Sequence, residues 1–274
     1  MSPVFSFVDH GAARLGFAVS EMLRDDVERI ALLTDFGVGP YVGQLHLLLA
    51  SQAGDRPVVD LIHDLPPFRP DLAAYLLPAL LRDLPPACLH LCVVDPGVGG
   101  RRDALLVRAD RHWLIGPDNG LLTLVARGAK QRRAWRLDWR PPWLSDSFHG
   151  RDLFVPLAVR ALCGEPIGAE PVDLESLAGA AWPEERAQII YQDHYGNLMT
   201  ALRAEGFSTR RRIRAGGQTL RHARTFCEVP PGEAFWYANA FGLVELAVNQ
   251  GRAAEVLGLD VGDPVEVLAD ASGG

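Results

Sequence analysis

The run Ala87-Cys88-Leu89-His90-Leu91-Cys92-Val93-Val94, followed at once by Asp95-Pro96-Gly97-Val98-Gly99-Gly100-Arg101-Arg102, constrains this chain more than any other stretch. The apolar run reads as a buried strand, and the proline and glycines end it in a loop at the edge of a sheet. That is where α/β proteins bind ligands. The glycines let the backbone turn sharply and approach a bound molecule, while Asp95 and Arg102 place opposite charges at the two ends of the loop. A strand-ending turn with a surface ion pair is the plainer reading of the same residues.

Neighbouring segments repeat the pattern. Ile30-Ala31-Leu32-Leu33 reads as a strand ending at Thr34-Asp35-Phe36-Gly37, and Tyr41 to Ala50 reads as a helix. Val58 to His63 gives a second strand, Asp71 to Leu81 a helix, and Ala104-Leu105-Leu106-Val107 and Trp113-Leu114-Ile115 further strands. A helix is expected from near Asp152 through Leu162. The alternation predicts an α/β unit over 29–175, a mainly parallel sheet flanked by helices. Residues 1–28 read as an N-terminal extension, with a short amphipathic helix over Leu15 to Leu23 and no assignable function.

Gly168 to Pro183 reads as a linker. Beyond it, Ala187–Tyr191, Leu198–Leu202, Ala234–Tyr237, Leu243–Val248 and Pro264–Leu268 recur between turns, which predicts a small C-terminal β-barrel over 186–274. The Arg-rich run Arg210-Arg211-Arg212-Ile213-Arg214 reads as a solvated hairpin edge. With a net charge of -7, the chain is not expected to bind nucleic acid. Four cysteines without a CxxC pair read as core thiols of a reducing, cytoplasmic protein, and the histidines lack zinc-site spacing. No apolar run reaches a membrane span, and no signal peptide is expected.

Six motifs then stand in order: Thr34-Asp35-Phe36-Gly37; Asp95-Pro96-Gly97-Val98-Gly99 with Arg102; Pro117-Asp118-Asn119-Gly120; Phe148-His149-Gly150-Arg151-Asp152; Asp193-His194-Tyr195-Gly196-Asn197; and Leu243 to Gly251 around Glu245. Together, over residues 30 to 268, they resemble the S-adenosylmethionine hydroxide adenosyltransferases. The resemblance implies an α/β domain and a β-barrel, and a homotrimer with active sites between subunits. The implied reaction is attack of water or hydroxide on the 5′-carbon of the adenosyl group, releasing adenosine and L-methionine without metal or second cofactor. By the same resemblance Asp95, Arg102 and His149 are the catalytic triad. Arg102 stabilises the developing hydroxide, and His149 and Asp95 orient the water and accept its proton. Asp35, with Phe36 beside it, matches the carboxylate that takes the ribose hydroxyls. Asp118 and Asn119 form a third strand-end loop, Asp193 and Asn197 hold the methionine head group, and Tyr195, Asn239 and Glu245 complete the substrate-binding set.

The chain departs from the family at Tyr195, where phenylalanine is usual, and at Ala240-Phe241, where polar residues are common, which leaves adenine-edge contacts to the backbone or to Asn239. Met199 lies where the halogenating relatives carry tryptophan. Alternatives are a chloride or fluoride adenosyltransferase, a non-catalytic protein that binds an adenosyl ligand, and a Gly-rich-loop nucleoside triphosphatase. The His-Gly-Arg arrangement argues against the first and the lack of a Gly-Lys-Ser/Thr ending against the third, while the complete triad weighs against the second, which the altered Ala240-Phe241 segment leaves open.

Overall fold

The computed structural model describes residues 10–269, and side chains from Ala18 onward. The chain forms two compact units. One runs to Phe68 and resumes over Pro85–Ala180; the other comprises Arg69–Leu84 and the chain from Ala181.

In the first unit, helix α1 (His10–Asp26) precedes strand β1 (Arg29–Thr34), helix α2 (Pro40–Gln52) and strand β2 (Val58–Ile62). After helix α3 (Pro70–Leu81) come β3 (Cys88–Val93), β4 (Ala104–Ala109), β5 (His112–Pro117), α4 (Thr123–Gly128) and β6 (Arg132–Leu137). A turn of π-helix (Gly150–Phe154) leads into α5 (Val155–Leu162), and β7 (Ala169–Pro171) completes the sheet. Seven strands lie in the order β2-β1-β3-β5-β4-β6-β7. The half that carries the predicted site, β2-β1-β3-β5, is parallel, and β4, β6 and β7 extend it in antiparallel pairs. Thr34 pairs with Val93, and Leu91 with Ile115, so the ends of β1, β3 and β5 share one edge. Gly116 permits this: a Cβ there would lie 2.4 Å from the Cys92 carbonyl oxygen.

The described part of the N-terminal extension belongs to this unit's core. Val19, Leu23 and Val27 recur at helical spacing and are buried in the cluster that contains Leu91, Trp113, Phe154 and Leu157. Ser20 Oγ donates to the Glu165 carbonyl at 2.6 Å, and α1 packs on α5 and β7. The stretch predicted as a linker contributes β7, which pairs with β6.

Helix α3 belongs to the second unit. It packs on β8 (Arg186–Gln192) and β9 (Leu198–Arg203), Tyr75 donates to the Pro183 carbonyl at 2.9 Å, and the Arg186 guanidinium lies over the Tyr75 ring at 5.0 Å. The remaining strands are β10 (Ile213–Ala215), β11 (Gln218–His222), β12 (Ala234–Ala238) and β13 (Leu243–Val248), followed by helix α6 (Ala253–Leu257) and β14 (Glu266–Val267). Their order is β14-β10-β11-β12-β13-β9-β8. The segment before β14 bonds back to β8, through Ile189 N to Asp263 O and Val265 N to Ala187 O, both at 2.9 Å. The sheet is therefore a nearly closed barrel around Ile189, Trp236, Val244 and Leu246. Among the described residues, no helix is long and apolar enough to cross a membrane, and no group of three or more His, Cys, Asp or Glu is placed to hold a metal ion.

His90 is fully buried on β3, 3.1 Å from His112 on β5, and burial pushes its imidazole down to about 3. The unfolded chain, with histidine near 6.5, therefore binds a proton that the folded chain does not. Stability from this residue is complete above about pH 6.5 and is lost as pH falls toward 3, at about 1.4 kcal/mol per unit. Denaturant unfolding of wild type and His90→Gln at pH 7, 5 and 4 tests this: the wild type should lose stability more steeply. Parallel losses would assign acid sensitivity to other groups.

Candidate active site

Asp95 stands two residues beyond β3, and the glycine-rich turn returns the chain so that Arg102 reaches it. Arg102 Nε donates to both Asp95 carboxylate oxygens, at 3.1 and 2.9 Å, and Nη2 donates to Oδ2. The side chains are only 10% and 4% exposed, so this pair is desolvated, unlike a surface ion pair. The guanidinium lies over the Phe154 ring, 5.0 Å from its centroid. Gly99 allows the loop to settle on the segment before His149: its φ is +78°, and a Cβ would lie 2.4 Å from the Asp146 carbonyl oxygen.

Arg102 Nη2 also contacts His149 Nδ1 at 2.7 Å. A guanidinium has no lone pair, so Nδ1 must accept and the neutral ring carries its proton on Nε2. Burial, then the Arg102 charge, hold His149 below the usual histidine range, partly offset by Asp95 and a backbone hydrogen bond at Ser145. Nδ1 cannot be protonated without turning one donor against another. Arg102 Nη1 has no partner among the described residues.

Asp35 follows β1, and its Oδ2 accepts from Phe68 N at 3.1 Å. Burial, with a smaller push from the Asp95 charge, raises its carboxyl above the usual range despite hydrogen bonds that oppose the shift. Phe36 meets Phe148 edge-on at 5.8 Å, next to His149. Asp118 and Asn119 brace this edge from within the chain. Asn119 Nδ2 donates to Val94 O at 2.8 Å and its Oδ1 accepts from Leu121 N at 3.2 Å, while Asp118 Oδ1 accepts from Ala178 N at 3.0 Å.

The second unit gathers the other predicted residues. In the turn between β8 and β9, Asp193 accepts from Asn197 N at 2.8 Å and Asn197 Nδ2 at 2.9 Å. Glu245, buried in the apolar strand β13, accepts from Tyr237 OH at 2.7 Å and Asn239 Nδ2 at 2.6 Å. Burial raises the Glu245 carboxyl, those two bonds oppose the rise, and the Asp193 charge adds to it. Asn239 Oδ1 is engaged with Phe241 N and Leu243 N, and Tyr195 is 73% exposed. Tyr237 is absent from the sequence-derived set. A glutamate inside Leu243–Val248 signals that a partner is needed, but the cross-strand pairing of Tyr237 with Glu245 identifies it.

Residues 30–169 match the family described as the SAM hydroxide adenosyltransferase N-terminal domain, and residues 187–266 match its C-terminal domain. The chain belongs to this family. Among SAM hydroxide adenosyltransferase relatives, the (R)-S-adenosyl-L-methionine hydrolase of Thermus thermophilus is 40% identical over 262 residues, covering 87% of this chain and 99% of that protein. The protein of the same name from Salinispora arenicola is 36% identical over 255 residues, covering 88% and 97%. A crystal structure of an uncharacterized conserved protein from Thermotoga maritima superposes with a TM-score of 0.76 at 27% identity, covering 88% of this chain and all (100%) of that one. A conserved hypothetical protein from Thermus thermophilus gives 0.71 at 38% identity, with 88% and 100% covered. Both groups of predicted residues fall inside the two matched domains of the SAM hydroxide adenosyltransferase family, whereas α1 lies before them.

Proposed function

We propose that this chain hydrolyses S-adenosylmethionine to adenosine and L-methionine. The observation that carries the mechanism is the Arg102 guanidinium, fixed by Asp95 on one side and neutral His149 on the other, with Nη1 left over. The reacting 5′-carbon is bonded to a sulfonium, so the C–S bond breaks to a neutral thioether and needs no general acid. Water supplies the new C–O bond, and one proton is released. Bulk water has a pKa of about 15.7, so a fixed cation that favours hydroxide supplies what the reaction lacks. Arg102 Nη1 holds that oxygen. Asp95 and His149 position Arg102 through the carboxylate oxygens and Nδ1, and Asp95 Oδ1, engaged by a single N–H, keeps a lone pair for the proton that the water gives up.

Asp35 binds the ribose hydroxyls through two acceptor oxygens, and Asp193 and Asn197 hold the methionine head group. Asp118, Asn119, Asn239 and Glu245 shape the two substrate-binding regions, with Phe36 and Tyr195 as apolar walls. The assembly is a homotrimer with sites at subunit boundaries, as in the family resemblance, with no cofactor or metal. Cys88 and Cys92 are buried thiols as expected, whereas Cys163 and Cys227 are exposed, which corrects the reading of all four as core residues; all four are free, which supports a cytoplasmic setting.

The deciding experiment incubates the protein with S-adenosylmethionine, with and without chloride or fluoride, and identifies the nucleoside. Adenosine with methionine supports hydrolysis; a 5′-halogenated nucleoside or unchanged substrate overturns it. Asp35→Ala should raise KM about 10²- to 10⁴-fold through the loss of two hydrogen bonds to a charged group, each worth about 1.5–3 kcal/mol, with a smaller change in kcat. A fall in kcat alone would place Asp35 in the chemical step. Activity should also fall as pH drops through the lowered His149 pKa, below about 6.5, since only the neutral ring accepts from Arg102. A profile flat to pH 4 would remove His149 from this role.

A further inference from the structure

A cavity of about 270 Å³ opens beside the triad, with Arg101, Arg102, Arg140, Ser145, Asp146 and His149 in its wall. Asp35, Phe36 and Asp95 are not part of that wall, so the cavity meets the triad from a side that the proposed ribose site does not share. Arg140 is half-buried, and its Nη1 is tied to the Leu137 and Trp139 carbonyls, both at 2.9 Å. Its Nε and Nη2 have no partner among the described residues. Arg101, exposed on the same wall, forms no ion pair among those residues. Asp103 faces Arg136 at 2.8 Å, Ser145 Oγ accepts from Phe148 N at 3.2 Å, and Asp146 lies exposed. Burial, followed by repulsion from Arg102, lowers the Arg140 pKa against the opposing pull of the Asp103 and Asp138 carboxylates. A half-buried guanidinium that repels another guanidinium, with two N–H edges unengaged and no carboxylate within hydrogen-bond reach among the described residues, is a site suited to an anion.

We propose that this cavity binds a small tetrahedral oxyanion of the phosphate or sulfate class through the unengaged edges of Arg140 and Arg101, and that its occupancy inhibits hydrolysis through His149. Two guanidinium forks offer more parallel donors than a halide can use, and a tetrahedral oxyanion matches them. His149 is acted on by the charges of Arg102 and Asp95 from the glycine-rich loop and of Arg140 from the segment after β6, and Asp146 shares the cavity wall with it. An anion beside Arg140 removes a positive field from His149 and favours the imidazolium, which cannot accept from Arg102. The inhibition rests on the hydrolysis reading; the binding does not.

The test titrates inorganic phosphate into the protein without S-adenosylmethionine, at constant ionic strength, and follows the thermal midpoint. Wild type and Arg140→Lys should show a saturable rise. Arg140→Gln should bind at least tenfold more weakly, and Arg101→Gln, on the exposed rim, severalfold more weakly. Saturating phosphate should move the acid limb of wild-type hydrolysis up by about half a pH unit and leave that of Arg140→Gln in place. No saturable rise, or equal rises in wild type and Arg140→Gln, overturns the site. Binding without movement of the acid limb overturns the coupling, and a protein that binds phosphate but never forms adenosine overturns the hydrolysis reading alone.

Discussion

Arg102→Ala is expected to lower kcat about 10²- to 10³-fold while changing KM for S-adenosylmethionine by less than about threefold, the pattern of losing a donor that stabilises developing charge in the transition state. The substitution removes the cation proposed to hold the attacking oxygen and leaves Asp95, 4% exposed, without its partner. An unpaired buried carboxylate is costly, about 3–5 kcal/mol, so the thermal midpoint should fall as well. Arg102→Lys separates the two effects. A single ammonium restores charge near Asp95 and most of the midpoint, but it cannot reproduce the fork that reaches Asp95 and His149 together, so kcat should stay low. If the loss appeared in KM with kcat intact, Arg102 would be a binding residue.

The second large effect lies in the core beneath that guanidinium. Phe154 is fully buried at the end of the π turn that begins just after His149, and its ring supports Arg102. Phe154→Ala should cost about 3–5 kcal/mol by leaving a cavity. At about 2–4 °C per kcal/mol, the midpoint should drop by roughly 10 °C. Phe154→Leu refills most of the space without an aromatic face, so it should recover most of the stability while kcat stays severalfold low. Equal kcat in Phe154→Leu and wild type would show that the ring serves packing alone.

The contrast between these residues also marks how far the chain can be read before folding. Asp35 and the Asp95–Arg102 loop stand out because each follows an apolar run, and the parallel strands β1 and β3 bring their ends to one edge of a sheet, whereas His149 stands out only as part of a motif ahead of a helix. Phe154 is ordinary in sequence; only its place under the guanidinium gives it a functional consequence. Arg140 lies after a strand, β6, that no periodicity marked, and the cavity that gives it meaning is formed by segments distant in sequence. Tyr237 is similar, since a register between two barrel strands sets it against Glu245.

Local pattern alone determined most of the strand-and-loop order, the two-part architecture and five of the barrel segments, because alternation and turn residues are short-range properties, whereas the proposed triad rested on the order of six motifs and the family they resemble. Tertiary structure decided three further matters. Helix α3 packs on β8 and β9, although its sequence neighbours are β2 and β3. The extension's Val19, Leu23 and Val27 complete the first core. The guanidinium between Asp95 and His149 sets which imidazole nitrogen carries the proton. Each depends on which surfaces meet across long stretches of chain, and burial and hydrogen bonding choose those partners by shape and charge, which residue order does not record.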